Sequence, residues 1–366
     1  MTRDSHAPPA LRPARIEPIF VPRLWGAPSL APLFPGAPKL KKSKAGDLPI
    51  GEVWLTGDEC RFADGPFAGQ ALSDAWHSMP SSWAGTQIDT DAPFPLLAKF
   101  LFPAQKLSVQ VHPGDDYARE NEAAAGGKGK TEIWYAVAAQ PGAEVFVGLK
   151  SGVNSENFRR AIDDGSVEDC LNRVPIATGD AIFVPAGTAH TIGPGLVLCE
   201  IQENSDLTYR VYDYGRRNPD DSTRELHVEK AMAVLNFAEQ RSGKVRPARA
   251  ATHGGEIAHF IACKYFAVEK WEFAAPIDLR TEPEHFELWI VVAGRGKVVW
   301  PGNGESAAGS AGFLPGQAWF VPASQTNWRI EPAAPTAMLH AYVPDLQRYA
   351  AQLAESGISA EGVVVL

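Results

Sequence analysis

Gln110 and His112 stand two apart in Ser108-Val109-Gln110-Val111-His112-Pro113. Val109 and Val111 alternate with them, which is the period of a β-strand, and residues two apart in a strand project from one face. The carbonyl oxygen of one and the imidazole nitrogen of the other are both metal-ligand atoms. Two more donors follow: Glu132 in Lys130-Thr131-Glu132-Ile133-Trp134-Tyr135, and His190 in Phe183-Val184-Pro185-Ala186-Gly187-Thr188-Ala189-His190. We read Gln110, His112, Glu132 and His190 as the ligands of one divalent metal inside a small β-barrel. A lone Gln-x-His also fits a half-buried strand with an ordinary histidine, and the other motifs weigh against that. Lys99 is the one charge in the apolar run 95–102. It needs a partner or a task, unless its stem packs while its amine reaches water. Arg210 alternates with Tyr209 and Val211 in a strand-like run, so its guanidinium faces away from theirs.

These residues need strands to hold them, and the chain supplies many short ones. Residues 1–15 are rich in Pro, Ala and Arg and read as a disordered tail. Pro18, Pro22, Pro28 and Pro32 make 16–34 extended chain and turns. Strands are predicted at 51–55, 95–102, 145–149, 182–185, 196–201 and 208–212. Helices are predicted at 72–83 (ended by Pro80), from Ser155 as cap to a stop at Asp163-Asp164-Gly165, at 167–171, and over 225–237. Residues 241–256 are polar, basic and small, and read as a linker. From 257 onward short strands at regular turn spacing predict a second all-β barrel or sandwich. A helix over 345–354 and an apolar tail, Val363-Val364-Val365-Leu366, close the chain.

The second half echoes the first. Gly179-Asp180-Ala181-Ile182-Phe183-Val184-Pro185-Ala186 aligns with Gly316-Gln317-Ala318-Trp319-Phe320-Val321-Pro322-Ala323, and Glu132-Ile133-Trp134 with Glu287-Leu288-Trp289. His190 falls opposite Asn327. Two copies of one β-module are therefore expected, over 16–240 and 257–366, the second without metal. A period of this length is too long for a solenoid unit.

Composition bounds the function. The chain has 366 residues, 45% hydrophobic and 21% charged, as in an ordinary globular protein. A net charge of −9 argues against nucleic acid as a partner. No apolar run approaches the roughly 20 residues that cross a bilayer, so no membrane partner is expected either. Four cysteines without Cys-x-x-Cys spacing suit a reducing compartment, and with no signal-peptide pattern at Met1 the expected location is the cytoplasm.

Gly179, Pro185, Gly187 and His190 fit the cupin motif G-x5-P-x-G-x2-H, although its trailing Asn is absent. Five stretches in order then resemble the type I mannose-6-phosphate isomerases of the short bacterial kind. They are Pro95-Leu96-Leu97-Ala98-Lys99-Phe100, Leu107-Ser108-Val109-Gln110-Val111-His112-Pro113, Gly129-Lys130-Thr131-Glu132, Pro185-Ala186-Gly187-Thr188-Ala189-His190, and Glu203-Asn204-Ser205-Asp206 with Arg210-Val211-Tyr212-Asp213-Tyr214. The resemblance implies a mainly β fold of two cupin jelly-roll modules with short helical insertions. It implies one Zn²⁺ per chain on Gln110, His112, Glu132 and His190, and catalytic or phosphate-facing roles for Lys99, Lys130, Glu200 and Arg210. The implied reaction interconverts mannose 6-phosphate and fructose 6-phosphate through an enediol(ate), with a sugar phosphate as small-molecule partner. An oxidative cupin enzyme and a non-catalytic sugar-binding cupin are the alternatives. Gly129 departs from long members, which carry a histidine just before the lysine, so a mechanism built on that histidine does not transfer. Arg216-Arg217 reads as a solvated pair. His77, His227, His253, His259, His285 and His340 receive no role.

Overall fold

The computed structural model describes residues 12–35, 48–238, 242–252, 254–302, 308–323, 325 and 327–365. The fold is mainly β, as expected, in antiparallel sheets. A seven-stranded sheet includes Ile50–Trp54, Leu96–Leu101, Glu132–Ala139, Ala181–Val184 and Leu196–Glu203. A five-stranded sheet holds Val109–Val111, Glu144–Leu149, Leu171–Pro175, His190–Ile192 and Tyr209–Tyr212. Alternation decides what each face meets. Trp134, Ala136, Ile182 and Leu198 point to the interior between these two sheets, where Val145, Val147 and Ile192 meet them.

An eight-stranded and a four-stranded sheet form a second sandwich around Trp289, Val291, Val298, Trp319, Ile330 and Met338. The two large sheets then lie back to back. Ile133, Tyr135, Phe183 and Ile201 from one join Phe260, Val268, Leu288 and Phe320 from the other in a single core. Strand residues of both large sheets are therefore apolar on both faces, which is why several read as continuous apolar runs.

Local chemistry sets the helix ends. Helix Ser155–Asp164 is capped not by Ser155 but by Asn154, whose side chain accepts from Asn157 N while Asn157 reaches back, and Gly165 closes it at φ 78°. The 72–83 segment splits at Pro80 into Leu72–Ser78 and Ser81–Ala84 because proline lacks the amide that a continuing helix needs. The 225–237 helix is shorter, Val228–Val234, and 167–170 is a single 3₁₀ turn. Among the described residues, the apolar tail meets the sheets through an isolated parallel bridge, Ala262 with Val364.

Two stretches differ from their sequence reading. Residues 1–11 lie outside the described residues, but Ala14–Glu17, partly inside the expected tail, is a strand paired with Ala318–Val321 of the second sandwich. Within the expected linker, Gly243–Lys244 pairs with Ala181–Val184, and Ala248–Thr252 with Gly255–Ala262. No helix among the described residues is long and apolar enough to cross a membrane.

Candidate metal centre and active site

The first sandwich assembles its polar interior from both sheets. On the five-stranded sheet, Gln110 lies opposite His190 on one side and Arg210 on the other, and directly opposed residues share a face. On the seven-stranded sheet, Gln202 lies opposite Glu132, and Glu200 lies opposite Lys99. The Gly179–His190 motif carries the chain between them. Ala181–Val184 pairs with the Glu132 strand, a turn through Gly187 at φ 82° crosses over, and His190 begins the strand beside Gln110. Position 187 has to be glycine: the conformation is left-handed, and a Cβ would meet Val234 O at 3.0 Å.

His112, Glu132 and His190 converge so that one ligand atom from each lies within 4.8 Å of the others. Glu132 Oε1 is 3.6 Å from His112 Nε2 and 3.4 Å from His190 Nε2. Each ring spends its other nitrogen on a backbone carbonyl, His112 Nδ1 on Leu207 O at 2.8 Å and His190 Nδ1 on Thr188 O at 2.9 Å. Those bonds place the proton on Nδ1 and leave the Nε2 lone pairs facing the carboxylate. His112 Nε2 and Glu132 Oε1 are buried without any hydrogen bond, a costly arrangement that a cation seated between them would satisfy. Gln110 reaches the cluster through Nε2, 3.1 Å from His190 Nε2. Oxygen and nitrogen of an amide exchange by a simple flip, which would turn Oε1 to the same point. The donor set therefore fits a divalent metal.

The cations follow. Lys130 Nζ is 3.0 Å from Glu132 Oε2 and 3.3 Å from Glu200 Oε1, and Lys99 Nζ is also 3.3 Å from Glu200 Oε1. Lys99 does not reach water through its stem: it is 3% exposed. Burial pushes the Glu200 carboxyl up and Glu132 adds to it, with the two lysines opposing, so that it titrates at about 7. Burial also works against charge on Glu132, but the Lys130 ammonium beside it outweighs that and holds the carboxyl well below the usual range. Burial, Lys130 and His112 keep His190 neutral, at about 3; burial and Lys130 likewise lower His112.

Arg210 is not paired with Glu200. Its Nε donates to Ser108 Oγ at 3.2 Å and its Nη1 to Glu225 O at 3.0 Å, and no carboxylate among the described residues lies within ion-pair distance of it. Beside it, Arg216 and Arg224 both bond Asp213. Arg216 is thus largely buried rather than solvated, while Arg217 stays exposed. A cleft of about 440 Å³ gathers Lys99, Gln110, Lys130, Glu132, Glu200 and Arg210 in its walls. A larger cleft of about 550 Å³, beside Val147 and Lys244, holds none of the candidate site residues.

Sequence reasoning missed several residues of the site cleft. Glu52 takes a two-pronged bond from Arg23, 2.9 Å at each oxygen, and sits at about 2, where Lys99 and Arg23 outweigh its burial. Its signal was available: a charge inside an apolar strand, as for Lys99. Ser108, Asp206 and His227 also line the cleft; the first two stand inside motif stretches that gave them no role of their own, and no local pattern marks His227.

No family model matches the chain. The probable mannose-6-phosphate isomerase GmuF of Bacillus subtilis (strain 168) is 35% identical over 311 residues, 83% of this chain and 93% of the relative. The mannose-6-phosphate isomerase ManA of the same organism is 33% identical, covering 78% and 87%. The crystal structure of the Bacillus subtilis mannose 6-phosphate isomerase superposes with a TM-score of 0.79 at 29% identity, over 90% of this chain and 99% of that one. A mannose 6-phosphate isomerase bound with zinc and yttrium shares the fold, at a TM-score of 0.69 and 16% identity, over 90% and 99% of the two chains.

Proposed function

The chain belongs to the mannose-6-phosphate isomerase family, and on that premise we propose that it is a zinc-dependent enzyme interconverting mannose 6-phosphate and fructose 6-phosphate. One observation carries the reading. Two buried histidines, each fixed by a carbonyl at Nδ1, aim Nε2 at a buried glutamate, and His112 Nε2 and Glu132 Oε1 have no hydrogen bond. A zinc ion on Gln110, His112, Glu132 and His190 would keep a net charge of about +1 and supply Lewis acidity without redox chemistry.

The chain's own residues supply the rest. Moving a proton between C1 and C2 needs one group to take and return it, and cations to hold the enediolate charge. We assign the proton transfer to Glu200, whose Oε1 is shared between Lys99 and Lys130. The two ammoniums stabilise the developing oxyanion. Arg210, with no carboxylate of its own, offers a planar fork to the phosphate or the enediolate. We propose one zinc per chain, in the first of two cupin modules, with the second module free of metal. The cysteines Cys60, Cys170, Cys199 and Cys263 are all unpaired, which supports a reducing compartment and the cytoplasm.

The test is a coupled assay on mannose 6-phosphate before chelation, after chelation and after zinc is restored, with loss of the C2 deuterium to solvent followed in parallel. Conversion that disappears and returns with zinc is expected. A metal-loaded protein that binds the sugar phosphate without exchanging the C2 proton would overturn the proposal.

A further inference from the structure

Lys130 and Glu132 enter the cavity from a segment whose backbone is held from one side. In extended chain the amides of residues two apart point the same way, and here both meet carboxyl oxygens. Gly129 N donates to Asp115 Oδ1 at 3.1 Å, and Thr131 N donates to Glu203 Oε1 at 2.7 Å. Between them, Lys130 N donates to Pro113 O at 3.0 Å. The approach is close enough to require glycine, since a Cβ on residue 129 would lie 2.6 Å from Asp115 N. Asp115 in turn is held from the other sandwich. Its Oδ2 accepts from Tyr265 OH at 2.6 Å and from Lys264 Nζ at 3.3 Å, both on the turn between strands Gly255–Ala262 and Ala267–Phe273.

We infer that Tyr265 is a positioning residue for the site in the first sandwich, acting through Asp115 and, with Glu203, fixing the backbone of 129–131 from which Lys130 and Glu132 project. The hydroxyl never approaches the substrate. It fixes the carboxylate that fixes the amide, so that the ammonium of Lys130 keeps its 3.0 Å and 3.3 Å separations from Glu132 and Glu200. Glu203 supports the arrangement: burial and the neighbouring Asp115 push it up to about 8, so at neutral pH it is the protonated member of a carboxyl pair rather than a second buried charge. The second sandwich thereby contributes to the chemistry of the first. The inference rests on the isomerase reading for the role of Lys130, but not for the geometry.

Tyr265→Phe keeps the ring, which packs against the shared core, and removes only the hydroxyl. In the zinc-loaded full chain we expect kcat on mannose 6-phosphate to fall about 5- to 20-fold with KM changed less than about 3-fold, because misplacement of a charge-stabilising group is felt in the transition state. Amide hydrogen exchange should accelerate in a peptide spanning 128–133 and stay unchanged in Tyr209–Tyr212, with Tm within about 2 °C of wild type. Glu203→Ala should show the same local acceleration, and Glu203→Gln, which keeps an acceptor for Thr131 N, should recover most of the lost rate. Unchanged exchange and kcat in Tyr265→Phe would overturn the inference. So would a fall in Tm accompanied by faster exchange throughout both sandwiches, the mark of a purely structural contact. If the wild-type protein does not isomerise mannose 6-phosphate, the isomerase reading fails while the exchange result still decides for or against Tyr265.

Discussion

At the scale of single residues, the histidines of the proposed metal site are separable from core histidines by experiment. His112→Ala or His190→Ala should lose most of the bound zinc and the isomerase activity, read by metal analysis beside the assay. Either variant with stoichiometric zinc and a near-normal rate would remove that residue from the ligand set. Arg210→Lys keeps the charge and loses the fork. If Arg210 stabilises the transition state, kcat and kcat/KM should fall together by roughly 10- to 1,000-fold, or about 1.4–4 kcal/mol; a rise in KM alone would confine it to ground-state binding. Gly129 shows what composition hides. The sequence marks it as a missing histidine, whereas the structure gives a reason no side chain stands there: a Cβ would press on Asp115 N and on Gly114 C at 2.6 and 2.7 Å. Gly129→Ala should cost about 1–3 kcal/mol of stability, as overpacking does, measured by urea unfolding.

At the scale of strands, the second sandwich keeps the frame of the first with other chemistry on it. Glu287 pairs with Val321 as Glu132 pairs with Val184, and Trp289 lies opposite His340 as Trp134 lies opposite Glu200. Glu269 lies opposite His340 where Lys99 lies opposite Glu200. The result is a buried cluster: His340 Nδ1 is 3.2 Å from Glu269 Oε2, and His340 Nε2 is 3.3 Å from Glu287 Oε2. Trp271 Nε1 donates to Glu269, Trp289 Nε1 donates to Glu287, and His259 contacts Glu269 and Tyr349. His285 and Tyr342 complete the surroundings through their rings. Asn327, opposite His190 in the repeat, is exposed and takes no part. Burial opposes charge on His340, but Glu287 and Glu269 outweigh it and raise it to about 9 from an ordinary 6.5. A raised pKa stabilises the fold fully below the unfolded value of 6.5 and loses that contribution as pH rises through 9, on the order of 3 kcal/mol in all. Glu269 is lowered instead, so its contribution is lost in acid. The urea midpoint should therefore fall between pH 7 and 9.5, and in His340→Gln that slope should flatten; an unchanged slope would show that His340 is neutral. Glu287→Gln should leave zinc content at the wild-type value, and a second zinc lost in that variant would refute a metal-free second module.

At the scale of the whole molecule, the two sandwiches share a core, and the chain laces them together. Tyr135 packs against Phe260 with ring centroids 5.7 Å apart, and Phe62, beside the N-terminal strand, meets Phe320 at 5.7 Å. A chain cut after residue 240 would expose the apolar outer face of the seven-stranded sheet and take from Ala14–Glu17 one of its two neighbouring strands, Ala318–Val321. Exposed apolar faces of that kind drive association, so the fragment should elute as aggregate in gel filtration, whereas a monomeric fragment with native circular dichroism would show that the first sandwich is self-sufficient.

Much of this was legible in the chain. Period-2 alternation gave the strands and put Gln110 and His112 on one side, because a pleated strand has no other way to arrange them. The Pro185–His190 spacing marked a turn that ends on a histidine, and Gly316–Ala323 repeats the residues of Gly179–Ala186. Lys99 announced itself as a charge among apolar neighbours. What local sequence could not carry was everything decided by pairing between distant strands. The contact of Lys130 with Glu200, the reach of Tyr265 to Asp115, the capture of Ala14–Glu17 by the second sandwich and the replacement of the Glu200 position by His340 all join residues far apart in the chain. Sheet register fixes them, and register is set by the packing of two faces at once rather than by the residues of one strand.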